Sequence, residues 1–264
     1  MISRLSVKFT TLRKRGRAGL IAFLMGGDPD VKTTLGLMQA VAKAGADILE
    51  VGMPFSDPMA DGPVIQAAGL RALESGTTLK GILAAVRRFR DGNTTTPVIL
   101  MGYYNPVYHY GAAKFCADAR ASGADGLILV DLPPEEEAEF RPLAEQAGLA
   151  LIRLVAPTSI GPRLPKLLMQ LQGFVYYVSI AGITGARGAN ITSLKEQVAA
   201  IKSKTRLPVA VGFGVKTPAQ ARKIAAFADA VVVGSALVEV IAKARKKPAA
   251  AERFVRSLAK AISK

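Results

Sequence analysis

The sequence predicts an α/β protein: one domain, residues 1–264, folded as a (β/α)8 TIM barrel with an additional N-terminal helix and extended loops after strands 2 and 6. Three observations carry this. Eight short apolar runs recur along the chain, most of them continuous rather than alternating, as parallel strands are when both faces are covered. Stretches of helical periodicity rich in Ala, Leu, Lys and Glu separate them, and 264 residues is a barrel-sized length.

In order, the runs are Leu20–Met25, Asp47–Gly52, Val98–Gly102, Gly126–Asp131, Leu149–Val155, Phe174–Ile180, Val209–Phe213 and Ala230–Gly234. Helices are expected between them, at Val31–Ala44, Leu79–Arg90, Glu135–Gln146, Leu194–Lys202 and Pro218–Phe227. The junctions Ala44-Gly45-Ala46-Asp47, Ser122-Gly123-Ala124-Asp125 and Ala228-Asp229-Ala230 resemble one another, each ending a helix on small residues before a buried strand. The second-to-third and sixth-to-seventh strand intervals, from residue 47 to 98 and from 174 to 209, are the long ones. Extra length after a barrel strand lies on the catalytic face, so chemistry is sought there.

Composition excludes several classes. One cysteine, Cys116, allows no internal disulfide and no Cys-rich zinc site, and fits a reducing compartment. The net charge of +15 would suit nucleic acid, but ten of the fifteen surplus charges lie in residues 1–30 and 236–264, and no nucleic-acid-binding motif accompanies them. Arg13-Lys14-Arg15-Gly16-Arg17 and the apolar run after it lack a small-residue cleavage site, and no apolar stretch is long enough for a membrane span. A soluble cytoplasmic protein that binds neither membrane nor nucleic acid is expected.

The first long segment holds Glu50, near the C-terminal end of an otherwise apolar strand, where a carboxylate is costly unless paired, protonated or useful. Asp61 follows in a Pro-interrupted loop that can fold over the mouth, with Asp57 nearby. Two carboxylates in different environments can divide acid and base roles; a structural partner for Glu50 and turn chemistry for the aspartates are the competing readings. The second long segment, Tyr176 to Gly188, has the Gly, Thr184 and Arg187 make-up of a mobile lid, and one of Tyr176 and Tyr177 must point inward. Gly212-Phe213-Gly214 and Gly234-Ser235, the latter opening a helical run, suit a phosphate held by backbone N–H groups. His109, the only histidine, is placed in a Tyr-rich loop, which disfavours a histidine-based metal site; no metal is expected. The nearest lysine to a strand end is Lys216, so a Schiff-base aldolase is disfavoured.

Gly27-Asp28-Pro29, the run from Glu50-Val51-Gly52-Met53-Pro54-Phe55-Ser56-Asp57 through Pro58-Met59-Ala60-Asp61-Gly62-Pro63, Met101-Gly102-Tyr103-Tyr104-Asn105-Pro106, Gly182-Ile183-Thr184-Gly185 and Gly212-Phe213-Gly214 occur in an order that resembles the α subunits of tryptophan synthase along essentially the whole chain. The resemblance implies a lyase that splits indole-3-glycerol phosphate into indole and glyceraldehyde 3-phosphate by retro-aldol cleavage. It implies Glu50 as general acid/base, Asp61 as the carboxylate facing the indole N–H, and Tyr176 as the residue orienting the glutamate. Phe23 and Tyr103 would wall the indole, and Thr184 would belong to a closing loop. Gly185, Phe213, Gly214, Gly234 and Ser235 would bind substrate, largely at its phosphate. Pro54, Asp57 and Asn105 would contact a β subunit in an α2β2 complex, and Asp131 would sit where signals pass between subunits. No cofactor is expected in this chain; pyridoxal phosphate would belong to the β subunit. Another phosphate-binding barrel, such as an isomerase, and a weakly catalytic activator of the β subunit are the alternatives.

Overall fold

The computed structural model describes residues 3–178, 191–212 and 214–263. Its β segments are β1 (Gly19–Met25), β2 (Ile48–Gly52), β3 (Val98–Gly102), β4 (Gly126–Leu129), β5 (Ala150–Leu151), β6 (Arg153–Val155), β7 (Val175–Val178), β8 (Val209–Gly212) and β9 (Ala230–Val233). All pair in parallel, in the order β5-β4-β3-β2-β1-β9-β8-β7-β6. β5 and β6 are two pieces of the fifth barrel strand. β5 pairs with β4 and β6 with β7, with one residue between them, so a single segment joins the two ends of the sheet. The break falls at Ile152, where the strand changes partner; its N–H still donates to the Leu127 carbonyl at 2.9 Å. The result is the eight-stranded barrel that the apolar runs predict.

The helices are α1 (Arg4–Lys14), α2 (Val31–Lys43), α3 (Pro63–Glu74), α4 (Leu79–Arg90), α5 (Tyr104–Tyr110), α6 (Ala112–Ser122), α7 (Arg141–Gln146), α8 (Leu164–Leu168), α9 (Ile191–Lys202), α10 (Pro218–Ala225), α11 (Ser235–Lys243) and α12 (Lys247–Ile262). Strand residues alternate between two cores. Ile21, Ile48, Ile99, Ile128, Tyr176 and Val232 fill the barrel, while Leu20, Leu49, Leu100, Leu127, Tyr177 and Val231 pack beneath the helices. Burial on both faces is why the runs are continuous rather than alternating. Leu5, Phe9 and Leu12 of α1 join the interior core, so this helix covers the N-terminal end of the barrel.

The recurring helix-to-strand junctions have a common task. Asp47, Asp125 and Asp229 each accept a hydrogen bond from the first turn of a neighbouring strand, at Leu20, Val98 and Val209 N–H respectively, within 2.8–2.9 Å. Each is also paired with a cation: Asp47 with Arg17, Asp125 with Arg4 and Arg90, Asp229 with Lys202. Asp125 is the most buried, and its removal takes the carboxylate from the nearly buried Arg90 guanidinium and leaves it only backbone carbonyls. Asp125→Ala is therefore expected to cost about 3 kcal/mol in urea unfolding. A loss below 1 kcal/mol would show that the clamp is not structural.

Three expectations need correction. The helix expected at Glu135–Gln146 begins only at Arg141, because Glu137 turns inward to pair with Arg153 and Arg141, and Pro142 fits the first helical turn. His109 lies in a helix, α5, rather than a loop; Asp131, just beyond β4, accepts the Tyr104 N–H at 2.7 Å and caps it from elsewhere in the chain. Part of the extra length after β2 is helical too, as α3. Of the basic residues of the C-terminal end, Arg253, Arg256 and Lys260 lie on the solvent side of α12, whose Ala251, Val255 and Leu258 are buried. No helix among the described residues is long and apolar enough to cross a membrane.

Candidate active site

Glu50 sits on β2 in register with Phe23 of β1 and Ile99 of β3, on the face that fills the barrel. It is fully buried, and neither carboxylate oxygen has a hydrogen-bond partner among the described residues. Desolvation pushes its pKa up to about 8, so the group is largely protonated at neutral pH. The competing structural reading, a buried partner for a core cation, therefore finds no support.

Tyr176 is the inward tyrosine of the pair. Its pKa is raised well above the ordinary value by burial and, secondarily, by the nearby charge of Glu50. Tyr177 faces the helix layer and donates to Gln197 of α9. No hydrogen bond joins Tyr176 to Glu50. Gly212 on β8 makes room for the ring: a Cβ at that position would lie 2.7 Å from Tyr176. The sequence suggests Gly212 only as part of a phosphate-binding strand end, since its close approach depends on a ring from a neighbouring strand.

Asp61 ends a compact loop. Its N–H donates to the Pro58 carbonyl at 3.0 Å, and its own carbonyl accepts from the Gln66 side chain of α3 at 2.9 Å. Tyr103, just past β3, accepts the Ala60 N–H at 2.9 Å and donates to the Asp61 carboxylate. Burial raises the Asp61 pKa, and the Tyr103 hydrogen bond partly opposes it. The Tyr103 hydroxyl is itself pushed up to about 12, chiefly by burial, so it stays a donor. Gln66 and the positioning side of Tyr103 escaped the sequence reading, because both depend on the folded loop. Tyr103→Phe is expected to lower kcat/KM about tenfold and to move its acid limb upward, as the bond that holds the Asp61 pKa down is lost. An unchanged acid limb would detach Tyr103 from Asp61.

Phe23 connects these parts. It is 7% exposed and packs with Val64 and Ile65 at the start of α3, with Met101 of β3 and with Val238 of α11. Gly234 and Ser235 stand at the N-terminus of α11, with the Gly234 backbone close to Phe23. Gly214 adopts a left-handed φ of 52°, which glycine accepts readily. Thr184, Gly185 and Phe213 lie outside the described residues. Asp57 and Asn105 are exposed, whereas Pro54 is buried, so in this chain it offers a partner little surface.

A barrel with a protonated carboxyl in its interior and a second carboxylate on a loop has the groups that an enzyme of the acid–base class uses. A family model of the tryptophan synthase alpha chain matches residues 9–263, and the chain belongs to that family. It is similar to tryptophan synthase subunit alpha from Legionella pneumophila, at 40% identity over 99% of both chains with a TM-score of 0.93. It is also similar to tryptophan synthase from Mycobacterium tuberculosis, at 38% identity over 100% of both chains with a TM-score of 0.91. A chain from Aquifex aeolicus matches at 38% identity over 99% of both chains, with a TM-score of 0.90. Membership makes the protein a lyase acting on indole-3-glycerol phosphate in tryptophan biosynthesis, with a β subunit as its general partner.

Proposed function

We propose that Glu50 is the proton donor and acceptor of this reaction. Its carboxylic acid delivers a proton to indole C3, and the ring becomes an electron sink. The resulting carboxylate takes the proton of the glycerol hydroxyl as the carbon–carbon bond breaks, which releases indole and the aldehyde and restores the acid. Asp61 accepts a hydrogen bond from the indole N–H and stabilises the positive charge that develops on the protonated ring. Tyr176 lies beside Glu50 and orients it; Phe23 and Tyr103 wall the ring. Gly214, Gly234 and Ser235 hold the phosphate through backbone N–H groups and the α11 N-terminus, together with Gly185 and Phe213, and Thr184 belongs to the closing loop.

The observation that carries this reading is Glu50 itself: a fully buried carboxyl whose oxygens have no hydrogen-bond partner among the described residues, and a raised pKa that keeps it protonated near neutral pH. The chain acts as one domain, needs no cofactor of its own, and works in the cytoplasm within an α2β2 complex whose β subunit carries pyridoxal phosphate. Relatives solved as tryptophan synthase from M. tuberculosis, one in an aminoacrylate-bound form, support that partnership. Asp57 and Asn105 are the exposed candidates for contact, and Pro54 is buried.

The test is indole release from indole-3-glycerol phosphate, with and without a β subunit. Indole should form in both cases. None under either condition would overturn the catalytic roles.

A further inference from the structure

On the side of the barrel away from Glu50 and Asp61, a cleft of about 670 Å³ opens between α1 with the turn after it and the segments that lead into β8 and β9. Its apolar lining includes Phe9, Leu12, Leu207 and Pro208. Four cations line it as well, Arg13, Arg17, Lys202 and Arg206, against the carboxylate of Asp229. Two of the four are already engaged: Arg17 makes a two-pronged pair with Asp47, and Lys202 pairs with Asp229 and the Phe227 carbonyl. The side chains of Arg13 and Arg206 have neither a hydrogen bond nor an ion pair among the described residues.

We propose that this cleft binds an organic phosphate monoester, its dianionic head held by Arg13 and Arg206 and its apolar body laid on Leu207 and Pro208 and against the edges of the largely buried Phe9 and Leu12. A guanidinium presents paired N–H donors that match phosphate oxygens, and it gives up its hydration more readily than an ammonium does. Inorganic phosphate would satisfy the arginines and leave the apolar lining unused; a neutral ring would do the reverse. The volume lies in the range of small-molecule sites. The site also gives a use to part of the Arg13-to-Arg17 cluster, for which the lyase reaction has none.

Titration of the full chain with 1-naphthyl phosphate, followed by hydrogen exchange in peptides covering residues 3–18 and 203–208, reads this cleft separately from the catalytic mouth. Both segments should gain protection with a common Kd. In an Arg13→Ala/Arg206→Ala double variant that Kd should weaken about tenfold or more. A Lys14→Ala/Arg15→Ala variant removes the same charge from just outside the cleft and should bind as the unaltered protein does. No protection at saturating probe, an unchanged Kd in the first variant, or equal weakening in both variants would overturn the proposal.

Discussion

Glu50→Gln is expected to lower the rate of indole release by about 10²–10⁴-fold, and at the same time to change how folding stability depends on pH. The first effect follows from the chemistry proposed for the group: an amide of the same shape can neither deliver a proton to the ring carbon nor accept one from the hydroxyl. The second follows from linkage. In the unfolded chain this carboxyl ionises near 4.5, whereas in the fold it holds its proton to about 8. Between those values the folded state binds more protons than the unfolded state, so stability falls as pH rises. Below 4.5 both states are protonated and the penalty vanishes. A tenfold change in an ionisation constant corresponds to about 1.4 kcal/mol, so the full interval amounts to a few kcal/mol, on the order of 3–5. Urea unfolding across this range should therefore show the unaltered protein losing stability relative to Glu50→Gln as pH rises. Parallel stability curves would mean that the carboxyl is not held neutral by burial, and near-normal turnover would remove it from the reaction.

Asp61→Asn is expected to reduce kcat/KM by about 10²–10³-fold, the usual consequence of losing a group aimed at developing charge. The backbone hydrogen bonds of the loop do not involve this side chain, so Tm should change little. Its proposed role requires the ionised form. Burial raises the Asp61 pKa, which places the acid limb of the pH–rate profile above an ordinary aspartate value, while loss of the Glu50 proton sets the basic limb near 8. The variant should lose the acid limb. A rate within twofold of the unaltered protein would show that the charge is not needed.

Much of this is legible in the order of the residues. The barrel follows from continuous apolar runs, because a strand covered on both faces has no polar side to display. Glu50 stands out for the same reason, as a carboxylate within such a run. The junction aspartates show as a recurrence, although their task as clamps on the neighbouring strand depends on which strands are adjacent. Residues that act through distant partners are silent: Gln66 on the Asp61 loop, Gly212 beneath the Tyr176 ring, and Asp131 as the cap of α5 are ordinary in their own stretches.

The fold class, the order of the strands, the long intervals after the second and sixth of them and the identity of the carboxylates are determined by the sequence alone, since they rest on local periodicity and on residue chemistry. The tertiary structure decided what depends on three-dimensional neighbours. It turned Tyr176 rather than Tyr177 inward, gave the Glu50 oxygens no partner among the described residues, and joined Tyr103 to Asp61. It also split the fifth strand at Ile152, where it passes from one neighbour to the next. A pKa near 8 is a property of the space around a carboxyl, and that space is enclosed only when the barrel closes.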